Sequence, residues 1–273
     1  MSAHGAFSPQ LVNQVIDELG EAYHWDRDRF PHFTRPCDSY KALRACTLVS
    51  KRWLARSRVH LFRRVKIDGA KYEPTIDIPP ASILPYIKEL EIYYDYQPTQ
   101  ATSIANVLQA FTAAPIECLE ITGGVLDDKR ACIQESVDAH SATLQTVEFQ
   151  SCSLSAYNIA DILLGHHRLR NLRLVDCKRE KLPPPGQPLI ADTPDPGSKV
   201  VELELHISGG DIWEGPACIV TMVARLPYRF SRLDIDHLVA GEGTTEATNA
   251  LVKANADVLS FLRVHFIAGM FRS

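Results

Sequence analysis

The feature that most restricts how this chain folds is an apolar spacing that occurs in seven copies between residues 87 and 264. Its fullest forms are Leu144-x-x-Val147-x-Phe149-x-x-Cys152-x-Leu154 and Leu169-x-x-Leu172-x-Leu174-x-x-Cys177. Shorter copies stand at Ile87-x-x-Leu90-x-Ile92, Ile116-x-x-Leu119-x-Ile121, Val200-x-x-Leu203-x-Leu205, Phe230-x-x-Leu233-x-Ile235 and Leu259-x-x-Leu262-x-Val264. The middle anchors at 90, 119, 147, 172, 203, 233 and 262 are therefore 25 to 31 residues apart. Alternation over so few residues fits a short strand. Most gaps hold a helical stripe: Ile104, Val107, Leu108 and Phe111, then Ile159, Ile162 and Leu163, then Ile219, Met222, Val223 and Leu226. Strands linked through helices run parallel, because a parallel partner is reached only by a crossover. Repeats that bury their apolar sides only against their neighbours stack into a curved solenoid. Residues 181–198 break the alternation with Pro183, Pro184, Pro185, Pro188, Pro194 and Pro196, which exclude a helix and predict a loop.

This spacing resembles that of leucine-rich repeats. The resemblance implies that the anchors point inward and that Cys152 and Cys177 pack at the turn after each strand. It also implies that the residues between anchors face a concave, client-binding surface: Glu91 with its neighbour Tyr93, then Glu120, Glu148, Arg173, Glu204, Asp234 and Arg263. Neighbouring strands lie about 4.8 Å apart, so Glu91, Glu120 and Glu148 form a ladder of like charges that costs stability unless something offsets it. One reading makes this strip the seat of a basic client segment. The plainer reading makes it a solvated face with flanking lysines and arginines as partners.

Residues 1–67 have a different style. Leu11, Val12, Val15, Ile16 and Leu19 follow helical spacing, with Ser8 and Pro9 suited to the N-cap and first turn. Leu43, Cys46, Val49 and Trp53 predict a second helical face, and Ala55–Phe62 a third short segment. Residues 20–40, with Pro31 and Pro36, read as a long connection between the first two. From Lys41 to Ile67 there are nine lysines and arginines and no acidic residue.

The segments Phe7–Leu19, Leu43–Leu54 and Arg58–Phe62 resemble the F-box of fungal F-box proteins, above all in Pro9-Gln10-Leu11-Val12 with Ile16, and in Leu48-Val49-Ser50-Lys51-Arg52-Trp53. The match covers about the first quarter of the chain, and the connection 20–40 is an insert longer than the family minimum. The resemblance implies an α/β chain with a three-helix F-box-like module at 1–67 and about seven irregular repeats at 68–273. It further implies docking of Pro9, Leu11, Val12, Val15, Ile16, Leu48, Val49 and Trp53 on a Skp-type adaptor, through it on a cullin, and capture of a client protein for ubiquitin transfer by an enzyme carried elsewhere.

Composition and motifs narrow the alternatives. No apolar run approaches the roughly eighteen residues of a membrane span. With 29 basic against 33 acidic residues the net charge is -4, so neither nucleic acid nor anionic lipid is an expected partner, although the local basic run keeps a phosphate-binding reading in view. Met1–Gln10 has no signal-peptide order, and an intracellular protein, cytoplasmic or nuclear, is expected. Seven scattered cysteines without a C-x-x-C pair predict free thiols, no disulfide framework and no structural zinc. No nucleophile elbow, phosphate loop or dinucleotide fingerprint occurs; His166-His167 reads as a helix cap, Asp127-Asp128 as a helix start, and Gly123-Gly124 and Gly209-Gly210 as turns. A non-catalytic receptor without cofactor is therefore expected. The alternative is a stand-alone repeat scaffold whose helices cap the first repeat. The last anchor block, Leu259–Ile267, followed closely by Met270 and Phe271, suggests an open apolar edge covered by a partner, or a shortened chain.

Overall fold

The computed structural model describes residues 8–29, 38–69, 79–94, 104–123, 139–154, 159, 162–163, 168–179, 200–208, 219–220, 223, 229–239 and 242–267. The chain divides into two compact units. The first comprises Met1–Val65 with Pro79–Glu89 and Ala113–Pro115, and the second comprises Lys66–Ile78, Leu90–Thr112 and Ile116–Ser273.

In the first unit, helix α1 spans Pro9–Arg29. Ser8 caps it, its hydroxyl accepting from the Leu11 amide at 3.2 Å, and Pro9 occupies a first-turn position where a missing N–H costs nothing. The expected break at Gly20 does not occur, since α1 runs nine residues past it. Gly20 is there for closeness: a Cβ on it would lie 2.1 Å from His60 Nδ1, so the absent side chain lets the α3 imidazole rest on the α1 backbone. The second correction concerns Leu43–Trp53. Helix α2 (Asp38–Cys46) ends, residues 47–49 turn, and α3 (Lys51–Leu61) starts afresh with the Ser50 hydroxyl accepting from Trp53 N at 3.3 Å. The apolar spacing is continuous across that break, but Ser50 competes for the backbone as an N-cap and restarts the helix. Ala55–Leu61 thus belongs to the same helix as Trp53. Val12, Ile16, Leu43 and Cys46 form the core, with Leu19, Tyr23, Trp53 and Leu61 packed against it. Asp17 of α1 takes two bonds from Arg56 of α3, at 2.6 and 2.5 Å, and a third contact from His60 at 3.0 Å. Within the same unit, the amides of Lys88 and Glu89 donate to the Arg63 carbonyl, and Leu84 and Ile87 are buried.

The main sheet is parallel and has eight strands, β1 (Arg64–Asp68), β2 (Glu89–Tyr93), β3 (Cys118–Thr122), β4 (Thr146–Gln150), β6 (Asn171–Val175), β8 (Val200–Ser208), β9 (Arg229–Val239) and β10 (Phe261–Ile267), in that spatial order. Strand β1 is additional to the seven anchored copies. A small second sheet pairs β5 (Ser153–Leu154) with β7 (Lys178–Arg179). Helix α4 (Ile104–Ala110) precedes β3 with Val107 and Leu108 buried, and Phe111 follows it into the core. Ile159, Ile162, Leu163, Ile219, Val220 and Val223 are helical and buried. Helix α5 (Glu242–Asn255) was not foreseen, because its buried positions Ala247, Thr248, Leu251 and Asn255 include one aliphatic larger than alanine. The loop expected at 181–198, Asp127-Asp128, His166-His167, the glycines at 124, 209 and 210, and Met222, Leu226, Met270 and Phe271 lie outside the described residues.

Register follows the apolar anchors, with one exception. Leu119, Val147, Leu172, Leu205, Leu233 and Leu262 stand opposite one another in successive strands. In β8 the middle anchor is therefore Leu205 rather than Leu203, because an irregularity between Val201 and Glu204 inserts a residue. Leu203, Leu205 and Ile207 share one parity, so apolarity alone does not choose among them.

After β3, β4 and β6 the same turn recurs. Gly123, Ser151 and Asp176 have φ of 75°, 53° and 50°, and each donates its amide to the last residue of the next strand at 2.8 Å. At Gly123 a Cβ would also meet the Tyr94 carbonyl at 2.4 Å. Directly after two of these turns come Cys152 and Cys177, whose thiols donate to the carbonyls of Ile121 and Phe149, each at 3.2 Å. In α5, Asn255 does comparable work: its Oδ1 accepts from Phe230 N at 2.6 Å and its Nδ2 donates to the Leu251 carbonyl at 2.7 Å.

Candidate interaction surfaces

The eight helical positions that the F-box resemblance marks separate into two groups. Val12 and Ile16 are core residues, and Trp53 is half-buried against them. Pro9 is exposed, and so are four aliphatic side chains: Leu11 at 45%, Val15 at 42%, Leu48 at 87% and Val49 at 59%. The division has a local cause. Leu11 and Val15 lie one position from the buried pair Val12 and Ile16, on the rim of the α1 stripe. Leu48 and Val49 are lifted out of any helix by the turn that Ser50 terminates. Lys51 and Arg52 are also exposed, and beside Leu48 an open pocket of about 350 Å³ is lined by Tyr40, Lys41, Arg44, Ala45 and Thr47. Val59 on α3 is 37% exposed; sequence spacing did not single it out because no partner stripe points to it.

The polar residues between the sheet anchors form one row. Glu120 opposes Glu148, which opposes Arg173. Tyr94 N bonds to Thr122 O just as Gly123 N bonds to Gln150 O, so Glu91 takes the place opposite Glu120. The ladder of three carboxylates exists, and cations flank it. Lys66 of β1 pairs with Glu91 and lies 5.6 Å from the centre of the Tyr93 ring, while Arg173 bonds Glu148 at 2.8 Å. Beyond Arg173 the row continues with His206, Asp234 and Arg263. Glu204 is displaced from it, facing Asn171 and Arg232 and bonding Arg232 at 3.1 Å. Residues missed at the outset are thus Lys66, His206 and Arg232. Only the pairing of strands reveals them, since each partner lies 25 or more residues away in sequence.

Asp234 is the most enclosed carboxylate of the row. It is 6% exposed, takes two bonds from Arg263 at 2.7 and 2.6 Å, and meets His206 Nδ1 at 3.0 Å. Burial pushes its carboxyl up, but the bonds from Arg263 and His206 outweigh that and hold it below the ordinary carboxylate value. Burial also raises the Cys152 thiol and pushes Cys177 up to about 12, so both stay protonated at neutral pH and are poor nucleophiles. Among the described residues no cluster of three or more His, Cys, Asp or Glu could hold a metal ion, and no helix is long and apolar enough to cross a membrane. Comparison with known families and proteins finds no family model that matches this chain and no curated protein that matches it.

Proposed function

We propose that this protein is a substrate-recognition subunit of a Skp-cullin-F-box type ubiquitin ligase. Its helical unit docks on the adaptor, and the leucine-rich-repeat-like sheet unit holds a client. The observation that carries this reading is the set of exposed aliphatics on a small helical unit whose other apolar side chains already close a core. Four such side chains in water are a standing cost that a partner surface removes. The basic residues around Leu48 and Val49 favour an acidic partner. Support for the client side comes from the repeated strand, left-handed turn and buried thiol, which place one row of charged groups on a broad sheet face. The polypeptide supplies surfaces, and the bond-forming chemistry belongs to an enzyme bound elsewhere in the assembly.

Co-purification with a Skp-type adaptor tests the proposal. Leu48→Asp with Val49→Asp leaves the helical core intact and is expected to abolish the complex while the far-ultraviolet circular dichroism stays unchanged. Ile16 is unsuitable for this purpose, because it is fully buried and a charge there unfolds the unit. An undiminished complex with the double variant overturns the reading and leaves the scaffold alternative, in which the helices only cap the repeats.

A further inference from the structure

The exposed side of β8, β9 and β10 collects two histidine–aspartate pairs on neighbouring strands. His206 Nδ1 lies 3.0 Å from Asp234, and His265 Nδ1 lies 2.9 Å from Asp236. Around them stand Glu204 on β8, Arg232 on β9 and Arg263 on β10, and Arg173 of β6 opposes His206 while bonded to Glu148. Helix α5, which also packs on β9, meets it through the buried, uncharged Asn255 at Phe230. Among these pairs of the described residues, with both imidazoles neutral, three carboxylates (Glu204, Asp234 and Asp236) face two guanidiniums (Arg232 and Arg263). With both protonated, the same three carboxylates face four cations, and the patch changes sign. Protonation leaves the geometry standing, because an imidazolium bonds an aspartate more strongly than a neutral ring does. Glu204 stays bonded to Arg232 and Asp234 to Arg263, so the protons add net positive charge to a face whose Arg232 and Arg263 side chains are 48% and 57% exposed.

We propose that the β8–β10 part of this face is a proton-gated surface for acidic peptide segments, with His206 and His265 as the gating groups. Histidine is the side chain whose charge changes across the range of pH found in cells. The proposal rests on the reading of this face as the client-holding side, and it adds both the chemistry of the client segment and the condition under which that segment is held.

The test uses the full chain and a tetramethylrhodamine-labelled peptide of alternating aspartate and glycine, whose carboxylates stay largely ionised at both pH values. Fluorescence anisotropy is expected to show binding on the order of tenfold tighter at about pH 5.5 than at about pH 7.5. In the double variant His206→Gln with His265→Gln, the amides keep a donor for Asp234 and Asp236, so the fold and thermal midpoint at the higher pH are retained while the pH response is lost. Binding that does not change with pH, or a response that persists in the double variant, overturns the proposal. Adaptor co-purification, which depends on the helical unit, is expected to be unaffected by these two substitutions. Its failure in the unsubstituted chain counts against the ligase reading and leaves the peptide titration standing.

Discussion

Ser151 and Asp176 carry the left-handed conformation that Gly123 carries in the preceding turn, and both have a Cβ that dislikes it. Strain is tolerated there because each amide completes a bond to the next strand and aims the following cysteine at a carbonyl. Ser151→Val is expected to lower stability by about 1–2 kcal/mol, since a β-branched side chain is the worst fit to positive φ. Ser151→Gly is expected to retain wild-type stability or better, and urea unfolding of the two variants separates conformational strain from loss of the hydroxyl. The buried thiols make a matching point. Their carbonyl bonds explain why a small, weakly polar side chain suits the position, a role that the resemblance of the spacing to a known repeat implied.

Asp17 and Asp234 give the residue scale a pH dependence. Both carboxyls are held below the ordinary value of 3.8, Asp17 chiefly by its hydrogen bonds from Arg56 and Asp234 by Arg263 and His206 against burial. A carboxyl depressed in the folded state contributes stability that is complete above its unfolded value and is lost as pH falls through the folded one. Acid unfolding is therefore expected to set in below about pH 4, and Asp234→Asn is expected to flatten that limb of the stability curve. An unchanged acid limb in the variant removes Asp234 from the explanation.

At the scale of elements, the contact between α1 and α3 sets two effects against each other. Gly20→Ala gains up to about 1 kcal/mol in helix propensity. It also drives a methyl to 2.1 Å from an imidazole that Asp17 holds in place, an overpacking that costs about 1–3 kcal/mol. The steric term wins because His60 is fixed on one side by the carboxylate. A lower thermal midpoint is expected for Gly20→Ala, and a higher one contradicts this account. The same contact explains why the helix was cut short in the sequence reading: glycine marks both helix ends and close approaches, and only the partner helix distinguishes them.

For the whole molecule, what was legible and what was not divide by distance along the chain. Strand anchors such as Val147, Leu172 and Leu233 lie within one short window and declare themselves by alternation. The extra residue in β8, the identity of His206 as the row member, and the cations that meet Glu91, Glu148 and Asp234 depend on a neighbour 25 to 33 residues away. Helix α5 was missed for a related reason: Ala247 and Asn255 are buried because of what they pack on and bond to, not because of their hydropathy. The acidic strip, for which the sequence left flanking lysines and arginines as one of two readings, is matched along much of its length by Lys66, Arg173, Arg232 and Arg263. Specificity on such a face comes from where charge fails to cancel, rather than from a uniform sign.

The spatial order of the eight strands repeats their order in the chain, and this has a kinetic consequence. In the pairings from β3 to β10, no strand waits for a partner more than 33 residues distant, the longest step being Asn171 to Glu204. Loop closure at such separations costs little more for the last strand than for the first. Assembly can start at any adjacent pair and advance one strand at a time, so a nascent chain adds order as each strand emerges instead of waiting for its final residues.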